Sequence, residues 1–153
     1  MFYRLERSQK LKISLDKAWE FFSSPKNLKE ITPEYMGFDI TLKTEEKMYP
    51  GQIITYIVRP VMGIPLKWMT EITHVKDKEY FVDEQRFGPY SLWHHKHFFK
   101  ETSEGVEMID IVDYKIPFGW LGTIAHYFFI RKKLEEIFNY RYTKLEKLFN
   151  ENV

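Results

Sequence analysis

The chain has 153 residues, of which 44% are hydrophobic and 29% charged, and it is predicted to form one globular domain over residues 1–153. A formal net charge of +1 does not favour nucleic acid as a partner, and the longest uncharged run is too short to span a membrane. Cysteine is absent, which excludes disulfides and thiol chemistry and is consistent with the cytoplasm as the predicted location.

The N-terminal part predicts one strand followed by two short helices. An extended pattern without Pro or Gly runs through "YRLERSQKLKISL", residues 3–15, which predicts the first strand. Asp16 is the predicted N-cap of the first helix. Ser24 and Pro25 begin a second helix, because Ser is favoured at the cap and Pro at the first helical position. Thr32-Pro33 ends it.

The central part predicts six strands in succession. Six segments rich in β-branched and aromatic residues are bounded by turn signals, and their short connections predict antiparallel hairpins. The pattern lacks the strand–helix alternation of a parallel sheet. The six segments are residues 38–44, 51–60, 64–75, 79–87, 91–101 and 106–116.

The C-terminal part predicts one long helix. After Pro117 apolar residues recur at three, four or seven positions, a spacing typical of a helix of roughly thirty residues. The element order therefore predicts an α+β helix-grip fold, in which a curved antiparallel sheet of about seven strands bends around this helix. Such a sheet encloses a volume that the abundant Phe, Tyr and Trp side chains either fill or line as a ligand cavity.

Three histidines lie within "GPYSLWHHKHFF", residues 88–99. Alternate residues of a strand share a face, so Trp93, His95 and His97 point one way while His94 points the other. Because the face of His94 also carries a lysine, which suits solvent, we place the other three side chains on the concave face. Two of the three histidines are therefore predicted to face the cavity.

The pair His95 and His97 has an H-x-H spacing that can chelate zinc, and Asp110 on the next strand is the candidate third ligand. The sequence indicates no further ligand. Two imidazoles and a carboxylate also satisfy one another as a buried hydrogen-bond network. We therefore predict such a network, with neither a metal nor a cofactor.

Four other polar residues leave alternatives open. Asp83 and Gln85 share a face of the preceding strand, where the simplest role for them is to tie that strand to its neighbours. Arg141 lies near the apolar stripe of the long helix, as does Arg131. From there each guanidinium either reaches an inward carboxylate or extends outward to solvent.

The chain resembles the START-like (SRPBCC) superfamily, and within it the bacterial polyketide cyclase/dehydrase-type ligand-binding proteins. The most specific motif is D-E-Q-x-x-G-P-Y-x-x-W-x-H-x-H-x-F, matched by residues 83–99. A G-T-x-x-x-D-x-V-x-Y pattern follows at residues 105–114, with Val106 in place of its Thr. The resemblance covers nearly the whole chain, and it implies a helix-grip fold with a hydrophobic cavity. It implies no particular reaction, because the superfamily includes carriers, receptors and cyclases.

Two functional hypotheses follow, and binding is favoured over catalysis because no nucleophile motif accompanies the histidines. The first is binding or transport of a small hydrophobic ligand, such as a lipid, an isoprenoid or an aromatic polyketide, with its polar end anchored by His95, His97 and Asp110. The alternative is a cyclase or dehydratase that uses His95 or His97 as general acid-base, with Asp110 as a further candidate. The predicted ligand contacts are Trp68, Gln85, Tyr90, Trp93, His95, His97, Phe99, Asp110, Tyr114, Ile124 and Phe128.

Two apolar segments, residues 59–66 and 117–130, are expected to border the entrance of the cavity. The run from Tyr127 to Ile130 is apolar on all sides of the helix, which is more than one buried face requires. We expect the sheet and loops to cover this run. The alternative is a gate that contacts a partner or, transiently, a membrane surface. No oligomeric state is predicted.

Overall fold

The computed structural model describes residues 1–42, 45–60 and 62–151, and over these residues seven strands form one antiparallel sheet. The strands are β1 (Tyr3–Leu11), β2 (Asp39–Ile40), β3 (Gln52–Val58), β4 (Leu66–Lys76), β5 (Tyr80–Phe87), β6 (Leu92–Thr102) and β7 (Gly105–Lys115). Their spatial order is β1-β7-β6-β5-β4-β3-β2, so each of the later strands forms a hairpin with the next. The first strand pairs with the last.

Helices lie at two places in the chain. The first strand is followed by α1 (Leu15–Phe22) and two short 3-10 helices, Pro25–Lys29 and Glu34–Met36. The C-terminal helix runs from α2 (Gly119–Ala125) through a π-helical turn (His126–Ile130) into α3 (Arg131–Phe149). The curved sheet, the long C-terminal helix and the short helices confirm the predicted α+β architecture.

The N-terminal boundaries differ from those predicted. The first strand ends at Leu11 rather than at residue 15. Ser14, and not Asp16, is the N-cap of α1, since its Oγ accepts a hydrogen bond from the backbone N–H of Lys17 at 3.3 Å. Asp16 lies in the first turn, where a negative charge suits the positive end of the helix dipole. The strand predicted at residues 38–44 is only two residues long, and positions 43 and 44 lie outside the described residues.

The long helix packs one face against the concave side of the sheet. Its α3 part buries Leu134, Phe138, Arg141, Leu145 and Phe149, which recur at helical spacing. At one end of the sheet this face meets α1 in an apolar cluster. Towards the other end, Leu134 and Phe138 of the helix form a second apolar cluster with residues of β1 and β7, and a cavity lies between the helix and the sheet.

The π-helical turn lies near the start of the long helix, and its apolar side chains are exposed. Tyr127 is 75% exposed and Phe128 is 76% exposed, so the expectation that the sheet and loops cover this run was wrong. His126 is the buried side chain of the turn: it stacks on Tyr3 at 3.5 Å between ring centroids, and its Nε2 lies 2.8 Å from the hydroxyl of Tyr114. The turn therefore buries its first side chain and exposes the three aromatic side chains that follow.

We predict that Gly105→Ala destabilises the fold by about 3 kcal/mol or more, because two penalties combine. Gly105 begins β7 with φ at +136°, and a Cβ there would collide with the backbone carbonyl oxygen of Leu11 on the neighbouring strand. Gly51→Ala is the matched control, with φ at +91° but no atom near its Cβ, and is expected to cost only about 1–2 kcal/mol. Urea unfolding followed by circular dichroism measures both, and equal losses would contradict the steric argument.

Candidate functional site

Four polar side chains meet on the concave face of neighbouring strands. Asp83 on β5 is directly opposite His95 on β6, and His97 is directly opposite Asp110 on β7. Alternation along each strand turns all four towards the C-terminal helix. There Arg141 of α3 places its guanidinium Nη2 3.7 Å from Oδ1 of Asp110. We call these five residues the polar cluster.

The two imidazoles of the polar cluster bridge the same two carboxylates. His95 has Nε2 at 3.1 Å from Oδ1 of Asp110 and Nδ1 at 3.5 Å from Oδ2 of Asp83. His97 has Nε2 at 2.8 Å from Oδ2 of Asp83 and Nδ1 at 2.8 Å from Oδ1 of Asp110. The last contact is short but poorly aligned with the ring N–H direction, so it is an electrostatic contact rather than a formed hydrogen bond. The two rings face each other with centroids 3.8 Å apart.

The polar cluster is buried, and its charges perturb one another. Burial raises the pKa of Asp110, but Arg141 and the two histidines outweigh burial and hold that pKa well below its usual range. The pKa of Asp83 is lowered in the same way, chiefly by the histidines. Burial lowers the pKa of His95, and His97 adds to the effect.

His97 shows the opposite behaviour. Burial lowers its pKa, but the contacts with Asp110 and Asp83 outweigh burial, and the net effect raises the pKa of His97. When His97 is the protonated imidazole, its charge and that of Arg141 balance the two ionised carboxylates of the polar cluster. This balance explains how two carboxylates are accommodated in an apolar interior.

A cavity of about 620 Å³ lies between the sheet and the C-terminal helix. Asp83, His95, His97 and Arg141 line one part of its wall, whereas Asp110 lies behind the histidines. The remaining wall is mainly apolar and aromatic, which is typical of a site for a small organic molecule. Among its apolar lining residues are Ile54, Trp68, Phe81, Trp93, Leu134 and Phe138.

The cavity reaches the surface at the start of the C-terminal helix. Phe118, Leu121 and Phe129 line the cavity and are also exposed, at 80%, 55% and 47%. These side chains therefore form an apolar mouth. Within the described residues no helix is both long enough and apolar enough to cross a membrane.

Five of the predicted ligand contacts line the cavity: Trp68, Tyr90, Trp93, His95 and His97. The predicted split of the three histidines is also observed. His94 lies on the outer face, with Nε2 3.7 Å from a carboxylate oxygen of Glu84, whereas His95 and His97 are buried.

The other six predicted contacts lie elsewhere. Asp110 supports the histidines from behind, and Phe99 belongs to the apolar cluster against α1. Gln85 holds the Gly-Pro turn, since its amide hydrogen-bonds both the backbone carbonyl and the backbone N–H of Tyr90, at 2.6 Å and 3.2 Å. The hydroxyl of Tyr114 contacts His126. The remaining two residues, Ile124 and Phe128, are exposed on the outer side of the helix.

Two residues of the polar cluster were not among the predicted contacts. The sequence indicates only a structural role for Asp83, although this residue lies at alternate spacing to the buried Phe81 and opposite the H-x-H pair. The sequence leaves two directions open for Arg141, and in the structure its guanidinium points inward to Asp110. The available signal was the presence of a charged residue on an otherwise apolar face of a strand or helix.

No protein-family model matches the chain, and no curated protein matches it. Solved structures do resemble it. A protein from Chromobacterium violaceum is 14% identical with a TM-score of 0.71, covering 96% of this chain and 97% of its own. A protein from Thermus thermophilus is 15% identical with a TM-score of 0.68, covering 96% and 95%. Major latex-like protein 151 from Panax ginseng is 11% identical with a TM-score of 0.67, covering 97% and 98%. At these identities the resemblance shows a shared fold.

We predict that Asp110→Asn lowers the free energy of unfolding by about 3–5 kcal/mol, because it leaves the buried Arg141 without its carboxylate. The matched control is Asp113→Asn on the same strand. Asp113 pairs with Arg4 and Lys96 on the outer face, where surface ion pairs contribute at most about 1 kcal/mol. Urea denaturation measures both variants. A loss at Asp110 no larger than that at Asp113 would show that the polar cluster does not stabilise the fold.

Proposed function

We propose that this protein binds or carries a small hydrophobic molecule in the cavity between the sheet and the C-terminal helix. The observation that carries the proposal is the cavity itself: about 620 Å³ lies between mainly apolar walls, with charged groups on one part of the wall. This volume lies within the roughly 300–1,000 Å³ range of small-molecule sites. Lipids, isoprenoids and aromatic polyketides are proposed as ligands, because their chemistry matches these walls. The proposed location of the protein is the cytoplasm.

The ligand's polar end is proposed to contact His95 and His97, with Asp110 holding both rings from behind. Two further donors support a ligand that carries an acceptor. The indole N–H of Trp68 and the Nε–H of Arg141 are buried, and neither has a hydrogen-bond partner within the described residues. An unsatisfied buried donor costs about 1–3 kcal/mol. The charges of the polar cluster balance when His97 is protonated and leave one net negative charge when it is neutral, so a neutral carbonyl, ester or hydroxyl suits this wall better than a carboxylate.

Entry is proposed to occur through the mouth beside residues 117–130, which we call the gate segment. Phe118 in this segment has a left-handed backbone, with φ at +69°, and its exposed ring lines the cavity. Trp120, Tyr127 and Phe128 project from the same segment into solvent. Exposed aromatic residues around an apolar opening suit transient contact with a lipid surface from which a hydrophobic ligand is taken up.

A cyclase or dehydratase is the second candidate function. The observation that favours it is the presence of two imidazoles, His95 and His97, on the cavity wall, within reach of a bound molecule. The ligand that co-purifies with the protein distinguishes the two candidates. Extraction and mass spectrometry should recover the same molecule after prolonged incubation if the protein is a carrier. A product whose formation requires His95 or His97 would instead establish catalysis.

We predict that Ile54→Trp weakens binding of the neutral dye Nile red at least about tenfold, because the larger side chain occupies cavity volume. Ile53→Trp is the matched control, since Ile53 is the preceding residue on β3 and points to the opposite face. Fluorescence titration measures both affinities, and circular dichroism confirms that both variants fold. Equal affinities for the two variants would show that the dye does not bind in the cavity.

We predict that Trp120→Ser combined with Phe128→Ser reduces binding to phosphatidylcholine vesicles by at least about fivefold, because two exposed aromatic side chains are removed from the gate segment. Tyr142→Ser is the control, an exposed aromatic residue on α3 outside that segment. Vesicle co-sedimentation gives the bound fraction. Undiminished binding by the double variant, or an equal loss in the control, would exclude the gate segment as the membrane contact.

A further inference from the structure

Three ligand atoms of the polar cluster converge on the cavity side of the histidines. Asp83, His95 and His97 each offer one atom, and the three atoms lie within 4.8 Å of one another. Oδ2 of Asp83 is 2.8 Å from Nε2 of His97 and 3.5 Å from Nδ1 of His95. Ligands placed about 2.0–2.1 Å from a tetrahedral zinc ion are about 3.3 Å apart. The two distances from Asp83 to the histidines are therefore close to the spacing of ligands in a metal site.

The opposite nitrogen of each imidazole faces the same buried carboxylate, through a hydrogen bond with His95 and an electrostatic contact with His97. Oδ1 of Asp110 lies 3.1 Å from Nε2 of His95 and 2.8 Å from Nδ1 of His97. Histidines that bind metals usually have such a partner on the other nitrogen, which fixes the ring orientation and makes the ligating nitrogen more basic. Arg141 compensates the charge of Asp110 from the side of the helix. Asp110 is thus placed to orient the histidines and not to ligate.

We propose that Asp83, His95 and His97 bind a divalent first-row transition-metal ion at the wall of the cavity. Two imidazoles and one carboxylate suit zinc, cobalt or iron, whereas calcium and magnesium prefer oxygen ligands. When both imidazoles are neutral, as ligation requires, the polar cluster carries one net negative charge, which attracts a dication. All three ligating side chains line the cavity, so the remaining coordination positions are open to it.

This proposal replaces the prediction of no metal made from the sequence, which considered Asp110 as the third ligand. The structure instead has Asp110 behind the histidines and Asp83 in front of them. The proposal goes beyond ligand binding and does not depend on the identity of the hydrophobic molecule. An ion at this position would provide a Lewis acid at the polar end of the cavity.

The test is a titration of EDTA-treated protein with Co²⁺ and Zn²⁺. We expect one ion per chain with a micromolar or lower Kd by calorimetry, and visible absorption bands of Co²⁺ typical of a low-coordinate site with nitrogen ligands. His97→Gln and Asp83→Asn should each weaken binding at least about a hundredfold. For comparison, loss of a residue that only supports the metal ligands typically lowers metal affinity by about 10–100-fold.

His94→Gln is the matched control, because His94 lies on the same strand but on its outer face. It should bind Co²⁺ within about twofold of the unmodified protein. Circular dichroism checks that each variant folds, and His95→Gln provides a further test if either of the first two does not. Absence of stoichiometric binding, binding unaffected by Asp83→Asn, or binding abolished by His94→Gln would each overturn the metal site.

The dye titration with Ile54→Trp separates this proposal from the proposed function. Nile red binding without Co²⁺ binding would overturn the metal site and leave the ligand cavity intact. Co²⁺ binding without any dye binding would leave the metal site intact and overturn the hydrophobic-ligand proposal. The two readouts use different atoms of the protein, so failure of one does not cause failure of the other.

Discussion

The buried carboxylate of Asp110 is the constraint on which the interior of this protein depends. At 2% exposure it is acceptable only because Arg141, His95 and His97 supply compensating charge and hydrogen bonds. One partner comes from the C-terminal helix and the other two from a strand, so a single anion joins the two layers of the fold. The same anion keeps both imidazoles oriented towards the cavity. Stability and the candidate site therefore depend on the same group.

Much of the fold could be predicted from local physical signals. Alternating side chains and turn residues identified the strands, and the spacing of apolar residues identified the long helix. The first and last residues of these elements were predicted less accurately than the elements themselves. Ser14 and Asp16 are both good N-caps, and only the position of the Lys17 N–H distinguishes them. An apolar run predicts burial, but Phe128 lies in the part of the helix beside the cavity mouth and is exposed.

The part of the candidate site that lies on a single strand could be predicted from the sequence. Alternation along β6 separated His94 from His95 and His97, as the structure confirms. The partners on other elements were harder to assign, because they depend on register and on the approach of the helix. Asp83 faces the two histidines from the neighbouring strand β5, and Arg141 reaches Asp110 of the same cluster from α3. The pattern of one strand cannot predict either contact. A charged residue on an otherwise apolar face does indicate that a buried partner is present.

The pairing of β1 with β7 has a consequence for how the protein is made. Arg4 on β1 bonds to Asp113 on β7, 109 positions later in the chain. Within this sheet, the strand that is synthesised first is therefore among the last to find its partner, and such long-range pairing slows folding. The helix that closes the cavity is synthesised later still. A nascent chain thus exposes the future cavity walls until the C-terminal helix has emerged, and aggregation competes with folding during this period.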